Sequence, residues 1–359
     1  MKKKDDRLDG LRQQVDKVDD QLLRLLNERA SVAKKIGEIK AKQNEQIYAS
    51  NRESAILERL AASNPGPLTA DSVEDIFYTV INHCRSLQKK LTISYFGPEA
   101  TFTHQAAIKH FGKSAEYIPA KSIADVFDDV SKERADYGVV PIENSTEGVV
   151  NHTLDMFMGS DLLICAEREE PISQCLMASQ EDLKKIRSLY SFPHALAQCR
   201  RWLEAHLPSV RIHDAASTAD AAAQAALDAT AAAIASPLAA EIYHLTILAD
   251  RIEDSTNNAT RFLIIGKKMA DPSGKDKTSI LFSIKDRIGA LHDMLIPFKE
   301  SGLNLTKIES RPTKKRAWEY VFFIDLLGHI ADPKVKKAIE KLETNCVFLK
   351  VLGSYPRGD

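Results

Sequence analysis

No stretch of this chain approaches the roughly eighteen consecutive apolar residues that a membrane-spanning helix needs. Neither charge prevails: 49 Lys and Arg face 50 Asp and Glu, so no global field draws the chain to nucleic acid or a membrane surface. The opening MKKKDDRLDG has lysines with no apolar core behind them, which argues against a secretory signal and for a cytoplasmic protein. C-x-x-C and H-E-x-x-H spacings are both missing, so no metal site is expected. The five cysteines, Cys84, Cys165, Cys175, Cys199 and Cys346, are odd in number and dispersed, which reads as reduced core thiols. There is no G-x-G-x-x-G either, and no dinucleotide or other cofactor is expected. What remains is an ordinary soluble composition over 359 residues, enough for two or three domains.

The first third is helical. Leu8, Leu11, Val15, Val18, Leu22, Leu25, Val32, Ile36 and Ile39 recur in steps of three and four, with Arg29 filling the step where a leucine is due. That pattern predicts one helix of roughly 50 Å with a coiled-coil-like seam, which requires partners. SNRESAILERL and TADSVEDIFYTVINHCRSLQ supply a second and a third helix, the latter with Val73, Ile76, Phe77, Val80, Ile81, Cys84 and Leu87 on one face. An arginine on an apolar seam is costly unless an anion meets it. Lys40, about three turns on, shares nearly the same face, so the pair outlines a cavity for a small polyanion, snorkels outward or pairs with carboxylates of the bundle. Arg12 lies about 25 Å from Arg29 along the axis and on another face, and so belongs to a second site, most simply in a partner chain. Ser50-x-x-Glu53 also has the form of a capping box.

LRQQVDKVDDQLLRLLNERASVAKKIGEIKA, then NRE and a closing SLQ, resemble the all-helical chorismate mutase domain over residues 5–90. The resemblance implies that arginines bind the two carboxylates of chorismate, Arg29 from the same chain and Arg12 from the other protomer of a homodimer. It places Lys40 and Gln88 at the ether oxygen, and Glu53 at the ring hydroxyl with Arg52 nearby. Family members often carry Asp and Ser where this chain has Ala49 and Cys84.

From TISYFG onward short apolar runs alternate with helical stretches such as SIADVFDDVSKE and TADAAAQAALDATA, the pattern of open α/β sheets in two lobes. Polar clusters recur at the junctions: GPEATFTHQAA, PIENSTEGVVN, SFPHALAQC, DAASTADAA and NNATRF. Each has the composition of an ordinary helix cap, yet five of them together point to a small polar substrate. They resemble prephenate dehydratase over residues 92–268. The resemblance places Thr260 at the leaving hydroxyl of prephenate, Arg261 on a carboxylate or on its own loop, and Phe262 as the strand's anchor. Glu143, Asn144, Ser145 and Thr146 would line the facing loop, with Glu143 assisting proton donation. Ser191, Gln198, Ser217 and Thr218 would complete the pocket, Phe192 standing where the family often has His.

After the linker MADPSGKDK comes strand, helix, strand, strand, helix, strand, the ferredoxin-like arrangement. GAL and ESRP resemble the two pieces that flank the amino-acid pocket of ACT domains in phenylalanine-inhibited dehydratases. They correspond to Gly289, Ala290 and Leu291, and to Glu309, Ser310, Arg311 and Pro312, with Arg311 shaping the pocket rather than touching the ligand. Together the three resemblances imply a multidomain, bifunctional chorismate mutase/prephenate dehydratase: a helical mutase domain over 1–91, a two-lobed α/β dehydratase domain over 92–268, and an α+β ACT domain over 277–355. It would convert chorismate to prephenate and on to phenylpyruvate, with phenylalanine as inhibitor. The rival readings are a small-molecule sensor, and a dehydratase whose helical module is only a dimerisation arm.

Overall fold

The computed structural model describes residues 6–43, 45, 47–255, 257–284, 287–312 and 320–358. It divides into two compact units, residues 1–91 with 111–115, and residues 92–110 with 116–359.

The first unit contains α1 (Asp6–Gln43), α2 (Ser50–Ala62) and α3 (Ala70–Ser86). At 38 residues α1 is about 57 Å long. Its seam is exposed along the whole length in the single chain, from Leu8 and Leu11 through Leu25 to Ile36 and Ile39. Only the C-terminal part packs closely on α3. There Gly37 is buried, and a Cβ at that position would fall 2.6 Å from Gln88 Cβ. Thr69 caps α3, accepting from Ser72 N at 3.2 Å. The buried face of α3 differs from the expected one: Val73, Ile81, Asn82, Cys84 and Arg85 are buried, whereas Ile76 and Leu87 are exposed. The face is turned so that two polar side chains point inward, and they satisfy each other there.

The second unit begins with β1 (Thr92–Phe96), α4 (Phe102–Phe111), β2 (Glu116–Ala120), α5 (Ile123–Ser131), β3 (Tyr137–Asn144), β4 (Gly148–Val149), α6 (Asn151–Gly159) and β5 (Leu163–Pro171). A second lobe follows: β6 (Cys175–Ala178), β7 (Ser188–Ser191), α7 (Pro193–Gln198), α8 (Arg200–His206), β8 (Arg211–Asp214), α9 (Thr218–Ala225), β9 (Ala231–Ala235), α10 (Pro237–Tyr243) and β10 (Thr246–Ala249). The chain then returns to the first lobe as β11 (Ala259–Gly266). The sheets run β2-β1-β3-β11-β5, with β4 on β3, and β10-β6-β9-β7-β8. The chain therefore crosses between lobes twice, after β5 and before β11. The two crossings are tied together, Ile172 N donating to Asn258 O at 2.8 Å and Ile252 N to Gln174 O at 3.0 Å. The alanine-rich stretch is helical only to Ala225, because Asp228 accepts from both the backbone N and the hydroxyl of Thr230 and folds the chain into a turn before β9.

The last segment is β12 (Asp276–Ser283), α11 (Ala290–Glu300), β13 (Leu305–Pro312), β14 (Tyr320–Leu327), α12 (Pro333–Glu343) and β15 (Phe348–Pro356), in sheet order β13-β14-β12-β15. The first three residues of AWEYVFFIDLLG, 317–319, lie outside the described residues. One face of this sheet, with Ile280, Phe282, Ile324 and Leu326, packs on Met294, Phe298, Val335 and Leu342 of its helices. Leu281, Val321, Phe323, Leu352 and Tyr355 join Ile142, Phe157, Ile164, Leu263 and Ile265 of the first lobe in one continuous core. Both faces are thus buried, and the β12–β15 sheet sits directly on the sheet that carries β3 and β11.

Candidate active sites

In the second unit β3 and β11 are antiparallel neighbours, and their register sets Thr260 opposite Asn144 and Arg261 opposite Glu143. Successive side chains of a strand point to opposite faces, so Asn144 and Thr260 share one face while Glu143 and Arg261 share the other. On the first face Asn144 Nδ2 donates to Thr260 Oγ1 at 2.8 Å and to Asn258 Oδ1 at 2.9 Å. Asn144 Oδ1 accepts from the backbone N of Thr146 and Glu147, at 2.9 and 3.0 Å. The amide is fully used and therefore fixed. Asn258 Nδ2 donates to Gln198 Oε1 at 3.1 Å, which also accepts from Gln174 Nε2 at 3.2 Å. This polar chain runs through both interlobe crossings. At its end Gln174 Oε1 is buried with no hydrogen-bond partner among the described residues, and a buried acceptor left unpaired marks a place for a ligand donor or an ordered water. His194 Nδ1, on α7, lies 2.9 Å from Glu147 Oε1 across the same region.

Ser145 closes the edge, donating to Asn257 O and accepting from Ala259 N, both at 3.0 Å. Ser217 caps α9 by accepting from Asp220 N at 3.0 Å, with Thr218 as the first helical residue. Ser191 is fully buried and donates to Phe192 O at 3.1 Å. Among the described residues, none of these hydrogen bonds ties Ser191, Ser217 or Thr218 into the Thr260 network. Phe262 is buried on the face that Thr260 shares.

The other face holds Arg261 and Glu143. Arg261, expected on a substrate carboxylate or on its own loop, is turned to carboxylates of the chain itself. Its guanidinium contacts Glu167 at 2.6–2.7 Å, Asp325 at 2.6 Å and the Tyr355 hydroxyl at 3.1 Å. Burial opposes its charge, but Tyr355, Asp325 and Glu167 outweigh that and hold its pKa above the usual range. Glu143 likewise faces away and receives Lys307 Nζ at 2.5 Å, so it is not placed to assist proton donation on the other face. Strand alternation is the cause in both cases.

In the first unit Glu53 binds Arg85 through both oxygens, at 2.7 and 2.8 Å. Arg85 also contacts Asn82 Oδ1, donates to Phe111 O at 2.9 Å, and lies 5.1 Å from the ring centre of Tyr48. Burial raises the Glu53 pKa, while Arg85 first and then Lys40 and Arg29 act to lower it. Arg29, Lys40, Glu53 and Arg85 are thus gathered about one carboxylate. The capping-box reading fails here, since the N-cap is Ala49 and the Glu53 carboxylate is spent on Arg85. Lys40 Nζ donates to Ile47 O at 3.4 Å. Gln88 Oε1 is buried without a partner among the described residues. Arg52 is exposed, as is Arg12, which pairs with Asp9 at 3.2 Å far up α1.

Beside the β12–β15 sheet a cavity of about 420 Å³ is lined by Gly289, Ala290 and Leu291 together with Arg287, His292 and Tyr320. Gly289 adopts φ 77°, which suits glycine, and opens α11. Glu309, Ser310, Arg311 and Pro312 form the end of β13 and are not among the residues lining this cavity. Arg311 contacts Asp155 of α6 at 3.2 Å.

Family models for chorismate mutase type II, prephenate dehydratase and the ACT domain match residues 11–89, 93–270 and 278–344. The chain is 51% identical over 98% of its length, and 98% of the relative's, to the bifunctional chorismate mutase/prephenate dehydratase of Aquifex aeolicus. It is 42% identical to that of Pseudomonas aeruginosa, again over 98% of each chain. The chain belongs to the bifunctional chorismate mutase/prephenate dehydratase family. It is an enzyme with both activities. A prephenate dehydratase from Arthrobacter aurescens, solved in complex with L-Phe, matches 75% of this chain and 91% of its own at 36% identity and a TM-score of 0.69.

Within that frame, Arg85, Gln174 and Asn258 are the polar residues that the sequence reading did not single out. An arginine four residues after Ile81 on an apolar helix face was the one available signal for Arg85. Asn258 lies within the NNATRF cluster without being given a role of its own, and Gln174 is a single amide on an interlobe crossing with no comparable signature. His104, next to the GPEAT turn, is buried and stacked on Tyr95 at 4.4 Å, with its Nδ1 accepting from Ala100 N. Burial lowers its pKa to about 4. Its ordinary value is about 6.5, so the unfolded chain takes up a proton in the window between the two that the folded chain refuses, and stability falls as pH drops. The full effect is on the order of 3 kcal/mol. Urea midpoints compared at neutral and acid pH should show a smaller acid loss in His104→Gln than in the parent, and equal losses would contradict this.

Proposed function

We propose that the Asn144–Thr260 pair is the dehydrating edge for prephenate. The observation that carries this is the direction of their hydrogen bond. Because Asn144 donates to the Thr260 oxygen, the threonine's own proton is left for another acceptor, and the departing hydroxyl of prephenate is that acceptor. A threonine is too weak an acid to protonate it fully. Its contribution is a hydrogen bond that strengthens as charge develops on the leaving oxygen, while loss of carbon dioxide and aromatisation drive the rest. Thr146, Ser145, Gln198, Asn258 and Gln174 hold this edge in place, and the Gln174 oxygen meets a substrate donor.

In the helical unit Arg29 and Lys40 bind chorismate, and Gln88 reaches the ether oxygen, a half-turn of its amide presenting the NH₂ group where the unpartnered oxygen now lies. Preorganised donors favour the charge that builds on that oxygen as the bond breaks. Glu53 acts with Arg85 as one buried pair. The exposed apolar seam of α1 is covered by a second copy of the chain, whose Arg12 completes the site. Phenylalanine binds at the Gly289 cavity, its carboxylate toward the start of α11, and lowers dehydratase activity by favouring a less active arrangement.

The test is to supply chorismate to the purified protein and follow its loss together with phenylpyruvate, with and without phenylalanine. Chorismate consumed, phenylpyruvate formed and the second step suppressed by phenylalanine is the expected result. Phenylpyruvate formed only from added prephenate would contradict the roles given to Arg29, Lys40 and Gln88.

A further inference from the structure

Glu143 and Arg261 lie directly beside Asn144 and Thr260 in sequence, directly opposite each other across the strand pair, and on the face that meets the regulatory sheet. Each is held there by a charge from that sheet, Glu143 by Lys307 of β13 and Arg261 by Asp325 of β14. Asp325 is itself held by Ser279 Oγ of β12 at 2.5 Å, and Ser279 reaches Tyr355 of β15 at 2.6 Å. Strands β12, β14 and β15 therefore each have a side chain in the Arg261 network, and β13 supplies the separate Lys307–Glu143 pair beside it. Glu167 binds Arg261 and Lys277 and accepts from Gly358 N at 3.0 Å. The cluster adjoins a cavity of about 380 Å³ lined by Glu167, Arg261 and Lys277 among others, so its ion pairs border open space and can rearrange.

We infer that Glu143 and Arg261 are positioning residues that transmit the state of the regulatory sheet to the Asn144–Thr260 hydrogen bond. The inference rests on the reading of that pair as the dehydrating edge. A displacement of β13 or β14 pulls on Lys307 or Asp325, and so on the two residues adjoining the catalytic pair. A shift of a few tenths of an ångström there misaligns the Thr260 proton with the leaving hydroxyl, and binding contacts elsewhere in the cleft stay as they were. Neither strand needs to change partners for this.

The variants to make are Lys307→Met and Asp325→Asn on the regulatory side, with Lys307→Arg as the charge-preserving partner. In the first two, prephenate kcat should fall about tenfold with KM changed less than about twofold. Phenylalanine should still bind by calorimetry, while the concentration giving half-inhibition rises about tenfold or inhibition disappears. Lys307→Arg should behave as the parent. Retained phenylalanine binding by the same samples reports that the second unit, which carries both sheets, is folded. Unchanged kcat and unchanged inhibition would overturn the inference, reducing the ion pairs to domain glue. Loss of phenylalanine binding itself would also overturn it, because the residues would then belong to the effector site. Retained dehydratase activity in Thr260→Ala is a separate outcome, which would remove the dehydrating edge and this inference with it.

Discussion

Thr260→Ala is expected to lower phenylpyruvate formation from prephenate by about 10²–10³-fold while leaving chorismate consumption unchanged. The size follows from removing one preorganised donor aimed at a leaving group, in a site where other contacts still bind substrate. The fall should appear in kcat rather than KM, since the bond to the departing oxygen gains strength only as that oxygen becomes charged. Thr260→Ser keeps the donor and should recover most of the activity. Asn144→Ala should be intermediate, because the hydroxyl survives but loses the bond that turns its proton toward substrate. Initial rates with prephenate, and separately with chorismate, decide all three. Equal loss of both activities in Thr260→Ala would contradict independent sites.

How far the sequence revealed this arrangement depends on the distance over which the determining contacts act. The run Phe262–Ile265 before Gly266 announces a buried strand behind a polar lead-in, and β11 is longer, Ala259–Gly266, taking Thr260 and Arg261 of that lead-in into the strand. The order of elements after residue 276 likewise gave the ferredoxin-like sheet without reference to any long-range contact. Alternation along a strand was also legible, and it would have separated Thr260 from Arg261 and Asn144 from Glu143 had those neighbours not been grouped as one motif. The partners themselves were not. Asp325 and Tyr355 stand 64 and 94 residues from Arg261, and Lys307 stands 164 from Glu143. No local pattern encodes a salt bridge between two sheets. Such pairs are fixed by how the sheets pack, and the Glu53–Arg85 pair, across 32 residues, by how α2 packs on α3. The helix faces show the same limit. The period of α3 was right, yet its buried side was rotated because Arg85 and Asn82 find partners inside that a hydrophobicity pattern counts as solvent-facing.

The second large effect is expected in the helical unit. Arg29→Ala should reduce chorismate consumption by about 10²–10³-fold and leave dehydration of added prephenate intact, because it removes a guanidinium that a substrate carboxylate requires in a desolvated site. Arg12→Ala should do the same, although Arg12 is exposed in the single chain and pairs there with Asp9. The two arginines are seventeen residues apart on a straight helix, about 25 Å, which no single molecule of chorismate spans. If Arg12 works in the partner's site, the two defects complement each other. In a mixed dimer one site carries both substitutions and the other carries neither. Random re-association of equal amounts of Arg12→Ala and Arg29→Ala chains should therefore restore about a quarter of the parent mutase activity, half the dimers being mixed and half the sites in each intact. Recovery requires that the exposed seam of α1, from Leu8 to Ile39, be what the second copy covers. Mixtures that stay as inactive as their components, despite forming dimers, would place Arg12 outside the chorismate site and leave Arg29, Lys40 and Gln88 to bind the substrate alone.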